Sequence, residues 1–120
     1  MKYLLSILLC TFLLFNCNYK QNNTLIVGKW QGAAWHVAGM PGSHDANAVH
    51  FNFDDKGNYT YQYASLHEAG TYKIENDMLF TKLPNENEMM VKIVKLSADS
   101  LVFDMSRNGT DETLFLLKEK

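Results

Sequence analysis

Beyond its first seventeen residues this 120-residue sequence has no cysteine; Cys10 and Cys17 are the two present. A disulfide framework is therefore excluded for the folding part of the chain, and so is a thiol nucleophile. No stripe of Lys or Arg stands out. From residue 17 onward ten basic residues face thirteen acidic ones, a formal charge of −3. The positive charge that would displace counterions from phosphates is missing, so nucleic acid is not an expected partner. No segment sustains a helical period. No apolar run reaches the roughly 20 residues of a membrane-spanning helix. Neither a Gly-x-Ser-x-Gly elbow nor a glycine-rich phosphate loop occurs. No catalytic residues are identified, no cofactor is expected, and the chain reads as a non-enzyme.

What the N-terminus does have is an export pattern. Met1-Lys2-Tyr3 supplies a short positive start, and residues 4–15 are apolar apart from Ser6, Cys10 and Thr11. That length suits the apolar core of an export signal, about 7–15 residues. The following Leu14-Phe15-Asn16-Cys17 resembles the lipobox of bacterial lipoproteins. The resemblance implies cleavage before Cys17 and a diacylglycerol on its sulfur, a lipid anchor to a membrane. Asn16 is larger than the small residue usual at that position. Residues 17–24 are polar and read as a flexible tether. The expected organisation is a signal over 1–16, a tether over 17–24 and one domain over 25–120, too short for a second core.

The domain is a series of short alternating segments. Residues 26–32 read as the first strand. Val49, Phe51 and Phe53 alternate with His50, Asn52 and Asp54, and residues 54–58 form a turn with Gly57 suited to positive φ. Tyr59, Tyr61 and Tyr63 alternate with Thr60 and Gln62. Strands follow over 70–74, 78–83, 89–96, 101–105 and 113–118, with Asn108-Gly109 a strong hairpin signal. About eight strands at this spacing indicate an all-β antiparallel barrel or sandwich built as a meander. Residues 32–47, with Gly39, Pro41 and Gly42 at their centre, read as a long loop.

Gly28-Lys29-Trp30 resembles the Gly-x-Trp motif that opens lipocalins, in which the Trp packs at the closed base of an eight-stranded up-and-down barrel. The chain more closely resembles the short lipocalin-like domains on lipoproteins of Bacteroidetes-type bacteria. Their Phe-x-x-Asp-Gly-x-Tyr hairpin is matched by residues 51–59 with Lys56 inserted ahead of Gly57, and their Gly-x-Tyr strand by Gly70-Thr71-Tyr72. The resemblance implies a small lipocalin-like barrel after the signal peptide, with Gly28 and Trp30 as structural residues. Lys118 stands where an Arg usually covers the Trp, and the chain is short; both argue against a deep pocket. The flank of Cys17 lacks the acidic export tag some of these bacteria use, which implies the periplasmic face of the outer membrane.

Several residues are candidates for chemistry. His36, His44, Asp45 and His50 lie in one stretch and are suited to zinc or copper, but their spacing forms no compact ligand pair, and no metal is assigned. His67 and Glu68 could form an acid–base pair; a surface turn is the plainer reading. Tyr59, Tyr61 and Tyr63 share one strand face, pointing outward as a sticky platform or inward as filling, with the polar opposite face favouring inward. Asp99-Ser100-Leu101 resembles a short O-glycosylation site of the same bacteria. Two functions compete. A ligand-binding lipoprotein would hold a small hydrophobic ligand near Trp35, Tyr59, Tyr61 and Tyr63. A filled barrel would instead grip an envelope protein as an inhibitor or immunity-type partner.

Overall fold

The computed structural model describes residues 22–120, so the signal, Cys17 and residues 17–21 of the tether lie outside the described residues. Nine strands occur among the described residues: β1 (Gly28–Val37), β2 (Met40–Pro41), β3 (Val49–Phe53), β4 (Asn58–Tyr63), β5 (Leu66–Glu75), β6 (Met78–Lys82), β7 (Met89–Leu96), β8 (Ser100–Arg107) and β9 (Thr110–Lys118). All pair antiparallel with their sequence neighbours apart from the two-residue β2, which pairs only with the end of β1. β1 also pairs with β9, closing an eight-stranded up-and-down barrel. Closure removes the exposed edges that would otherwise template aggregation.

The first strand departs from its expected extent. Instead of entering a loop at Gly32, β1 runs on to Val37. Ala33 is an extra residue between the Gly32–Leu116 and Ala34–Phe115 pairs. In a regular strand Trp30 and Trp35, five apart, would face opposite sides. The bulge shifts the phase by one residue, and both tryptophans are buried inside. Of the expected loop there remain a turn at residues 38–39, residues 42–45 and a short 3-10 turn, Ala46–Ala48, with the Asp45 side chain accepting from the Asn47 N–H. A second bulge in β7 leaves Val94 unpaired and exposed between the inward Ile93 and the next pair.

The barrel is filled at the end where β1 begins. Residues 22–25 form a helical turn across it, and the Trp30 Nε1–H donates to the Ile26 carbonyl at 2.8 Å. Lys118 Nζ lies 5.1 Å from the Trp30 ring centroid and donates to the carbonyls of Val27, at 2.7 Å, and Leu25, at 3.3 Å. Lys118 thus does here what the sequence resemblance assigns to an Arg. Its stem runs where a Gly28 Cβ would sit, 2.5 Å from Lys118 Cε, and Gly28 has φ 137°. That links the Gly to the Trp beside it. Gly70 is required for a different reason: a Cβ there would lie 2.2 Å from the Lys82 carbonyl oxygen. Around Trp30 pack Phe53, Leu101, Leu116 and Ile26, all fully buried.

The hairpin turns follow the turn residues. Asn108 and Gly109 both take positive φ, as a two-residue type I′ turn demands. In the β3–β4 turn the Asp54 carboxylate accepts from the Lys56 and Asn58 backbone N–H groups at 2.9 and 2.8 Å, and from the Asn58 amide. These bonds, the one from Asn58 first, hold its pKa below the ordinary aspartate value.

Two predictions follow from the base and this turn. Trp30→Ala should cost about 3–5 kcal/mol, the range for a fully buried Trp, read as the urea midpoint followed by circular dichroism. Asp54→Ala should lower the thermal midpoint at neutral pH. Because the folded pKa is lowered, the contribution of Asp54 is full above the unfolded value and lost as pH falls through the folded one. The gap between wild type and variant should therefore close below about pH 4; a gap unchanged at acid pH would refute the assignment.

Candidate functional site

At the opposite end the barrel is not filled. The turn after β1, the 42–45 loop, the β4–β5 hairpin, the residues between β6 and β7, and the β8–β9 hairpin surround its mouth. Inside it a cavity of about 140 Å³ is walled by residues of all eight barrel strands. β1 contributes Trp35, β3 Phe51, β4 Tyr59 and Tyr61, β8 Phe103 and Met105, β9 Leu114, and β6 Leu79 and Thr81. Apart from Trp35, which the bulge turns inward, these positions follow from alternation: Thr60 and Gln62 on β4 point out and are exposed, as the polar face predicts. The rings interlock, Phe51 lying 4.9 Å from Tyr61 and 5.8 Å, edge to face, from Phe103. Such pairs contribute beyond their buried area and stiffen the wall.

The three tyrosines of β4 do not share one role. Tyr59 and Tyr61 line the cavity. Tyr63 does not; it stands edge-on to Trp35 at 5.5 Å under the 42–45 loop. There His44 stacks on the Trp35 ring, 4.1 Å between centroids and 13° between planes. The histidines stay dispersed: His36 packs against Phe115 on the outside and His50 meets Glu119 at 3.1 Å. No three His, Cys, Asp or Glu side chains come together to hold a metal ion among the described residues. Gly28 and Trp30 lie at the closed base, away from the cavity. Ser100, of the Asp-Ser-Leu tripeptide, opens β8 with its hydroxyl donating to Asp99 at 3.2 Å.

Three charged residues at the mouth were not singled out as an inward set by sequence. Glu68 lies not in a surface turn, as its sequence surroundings suggest, but within β5, half-buried, and lines the cavity along with Arg107 and Met89. Its neighbour His67 points out, so the two form no acid–base pair across one face. Glu112 on β9 is only 6% exposed. It accepts from the Trp35 Nε1–H at 3.0 Å, and its other oxygen lies 3.5 Å from Arg107 Nε. Both glutamates are in phase with apolar residues of their strands, Glu68 with Tyr72 and Ile74, and Glu112 with Leu114 and Leu116. That phase is the signal that could have placed them inside.

Burial raises the pKa of Tyr61, and the Glu68 charge adds to this while Arg107 opposes it. Burial likewise raises that of Tyr59, against a hydrogen bond with Thr81 that lowers it. Both phenols are therefore neutral at pH 7 and present hydroxyls to the cavity region. A wider depression of about 500 Å³ lies at the base, lined by Asn23, Thr24, Asp55 and Lys73 among others; it lacks convergent aromatic rings.

Comparison with known proteins agrees with this architecture. A family model described as a lipocalin-like domain matches residues 26–103. A lipocalin-like protein from Bacteroides uniformis superposes with a TM-score of 0.62 at 20% identity, over 79% of this chain and 99% of that one. An uncharacterised protein from Bacteroides eggerthii gives 0.58 at 15% identity, over 78% and 98%. At these identities the likeness concerns the fold. No curated protein matches the chain.

Removing the Glu112 carboxylate leaves the buried Trp35 N–H without an acceptor, a loss of about 1–3 kcal/mol. The Arg107 contact adds little, because that side chain is 59% exposed and solvent screens it. Glu112→Ala should show this loss in urea denaturation, whereas Arg107→Ala should stay within about 0.5 kcal/mol.

Proposed function

The chain belongs to the lipocalin-like domain family, and from that premise we propose that it is a non-catalytic binding protein whose open-end cavity takes a small apolar ligand. The observation that carries this is the cavity itself: aromatic and aliphatic walls, a volume of about 140 Å³, and a mouth bounded by loops. Trp35, Tyr59 and Tyr61 are its contact residues, and Tyr63 supports Trp35 from the side. A void of about 150 Å³ lined by apolar side chains accepts benzene, whereas drug-sized sites run to about 300–1,000 Å³. The ligand is accordingly small, or enters by one small apolar end. The export pattern and lipobox support a place in the cell envelope, with the barrel held by lipid on Cys17 at the periplasmic face of the outer membrane.

A second reading has its own support. Met40, Leu66 and Met89, 69%, 49% and 62% exposed, stand around the same mouth on β2, the β4–β5 hairpin and the start of β7. Three large apolar side chains at one end favour contact with an envelope protein.

Native mass spectrometry of the full chain, gently extracted from its own host, separates the two. A bound mass of small-molecule size, lost on denaturation, is expected. Met105→Trp, which places an indole in the cavity, should abolish it while leaving the circular dichroism spectrum unchanged. A ligand-free mass, or a bound mass that survives Met105→Trp, would overturn the cavity reading and turn the search to protein partners.

A further inference from the structure

The charges around the cavity are not balanced. Glu68 stands in the wall, opposite Tyr61 in the β4–β5 register, and has no ion-pair partner among the described residues. Arg107 also lines the mouth, but its Nε is turned toward the buried Glu112 carboxylate, 3.5 Å away, which offsets its charge. Two carboxylates therefore meet one guanidinium, and the unmatched negative charge is the one facing the cavity. Burial first, and then the Glu68 charge, raise the pKa of the Tyr61 phenol opposite it.

Each class of guest meets that carboxylate differently. A neutral guest sealing the mouth would strip water from Glu68 and return no partner, which is costly for a charge. An anionic guest would be repelled. A cation would pair with Glu68 in surroundings of reduced dielectric, where the attraction is stronger than in water. The faces of Phe51, Tyr61 and Trp35 carry the negative side of the aromatic quadrupole and favour the same sign. The volume admits about one ring or a short chain.

We propose that the guest of this cavity is a small organic cation, a protonated amine carried on one aromatic ring or a short aliphatic chain, with its apolar part among Phe51, Tyr61 and Met105 and its ammonium at Glu68. This rests on the reading of the cavity as a ligand site and adds the charge of the ligand.

The test uses three probes that share a phenyl group on a short chain and differ in charge: 2-phenylethylamine, 2-phenylethanol and phenylacetate. Each is titrated at pH 7 into the full chain held in lipid nanodiscs, where no detergent competes, with empty discs subtracted and the tryptophan fluorescence followed. The amine should bind at least about tenfold tighter than the alcohol, the scale of one desolvated charge pair, and phenylacetate weakest. Glu68→Gln should bring the amine to the affinity of the alcohol and leave the alcohol unchanged; Glu68→Ala serves if that variant does not fold. Equal binding of amine and alcohol, or an amine preference that survives the loss of Glu68, would overturn the cation proposal and leave the apolar cavity standing. Binding of none of the three would overturn the cavity reading and this proposal with it.

Discussion

One extra residue in β1 sets the organisation of both ends of the barrel. Ala33 shifts the strand by one position, so that Trp30 points into the base and Trp35 into the open end. Without that shift one of the two largest side chains would face solvent, and either the base would lose its plug or the cavity its wall. The same strand pairs with β3 through its first half and with β9 through most of its length, which closes the barrel. A bulge also increases local twist, the curvature a small closed sheet needs. Gly32, next to it, is where the 3-10 turn crosses: a Cβ there would lie 2.1 Å from the Ala46 carbonyl oxygen. Closure, plug and loop path thus meet within residues 30–33.

The two tryptophans then follow different chemistry. Trp30 gives its N–H to a backbone carbonyl and its face to the Lys118 ammonium. The Trp30 N–H and the Lys118 ammonium are both satisfied locally, by carbonyls of the chain that crosses the base. Trp35 gives its N–H to a carboxylate that must be brought from β9. Glu112 is the buried charged residue of the described chain, and it is retained where a filled core would carry another leucine. It fixes the indole from one side while His44 and Tyr63 fix it from two others. A cavity wall needs such support, because a side chain facing a void lacks the packing on that side that would otherwise hold its rotamer.

Much of the fold was legible in the sequence because a barrel strand must alternate, and the alternation of β3, β4 and β8 is clear. Turns with Gly57 and Asn108-Gly109 were legible for the same local reason. Two features were not. The bulge at Ala33 leaves no compositional mark, since the sequence around it, Gly-Ala-Ala, fits a loop as well as a strand. The β4–β5 hairpin turns at Ala64, which takes φ 53°, a conformation that an Ala seldom adopts and that therefore announces nothing. Missing that hairpin hid the upper part of β5 and with it Glu68. For the site, the aromatic wall was readable from Trp35, Tyr59 and Tyr61, whereas its charges were not, because an inward glutamate becomes apparent only once the phase of its strand is fixed.

The size of the cavity is a stability question as much as a binding one. A domain of about 100 residues without disulfides has a total stability of roughly 5–15 kcal/mol. Voids cost about 24 cal/mol per Å³ when left empty, so 140 Å³ sets an upper cost on the order of 3 kcal/mol, reduced where water enters at the mouth. A hollow several times larger would consume the whole margin. The packing of Trp30, Phe53, Leu101 and Leu116 through the lower barrel is what makes the upper void tolerable. Depth is given up for stability, and in the proposed binding role selectivity falls to the few groups at the mouth rather than to extent of contact. In so small a site one unmatched carboxylate weighs heavily: a single charge pair rivals the burial of two methylenes, at about 0.8 kcal/mol each. On the proposed reading, the short barrel places its discrimination in charge, at Glu68, where a deep one would place it in shape.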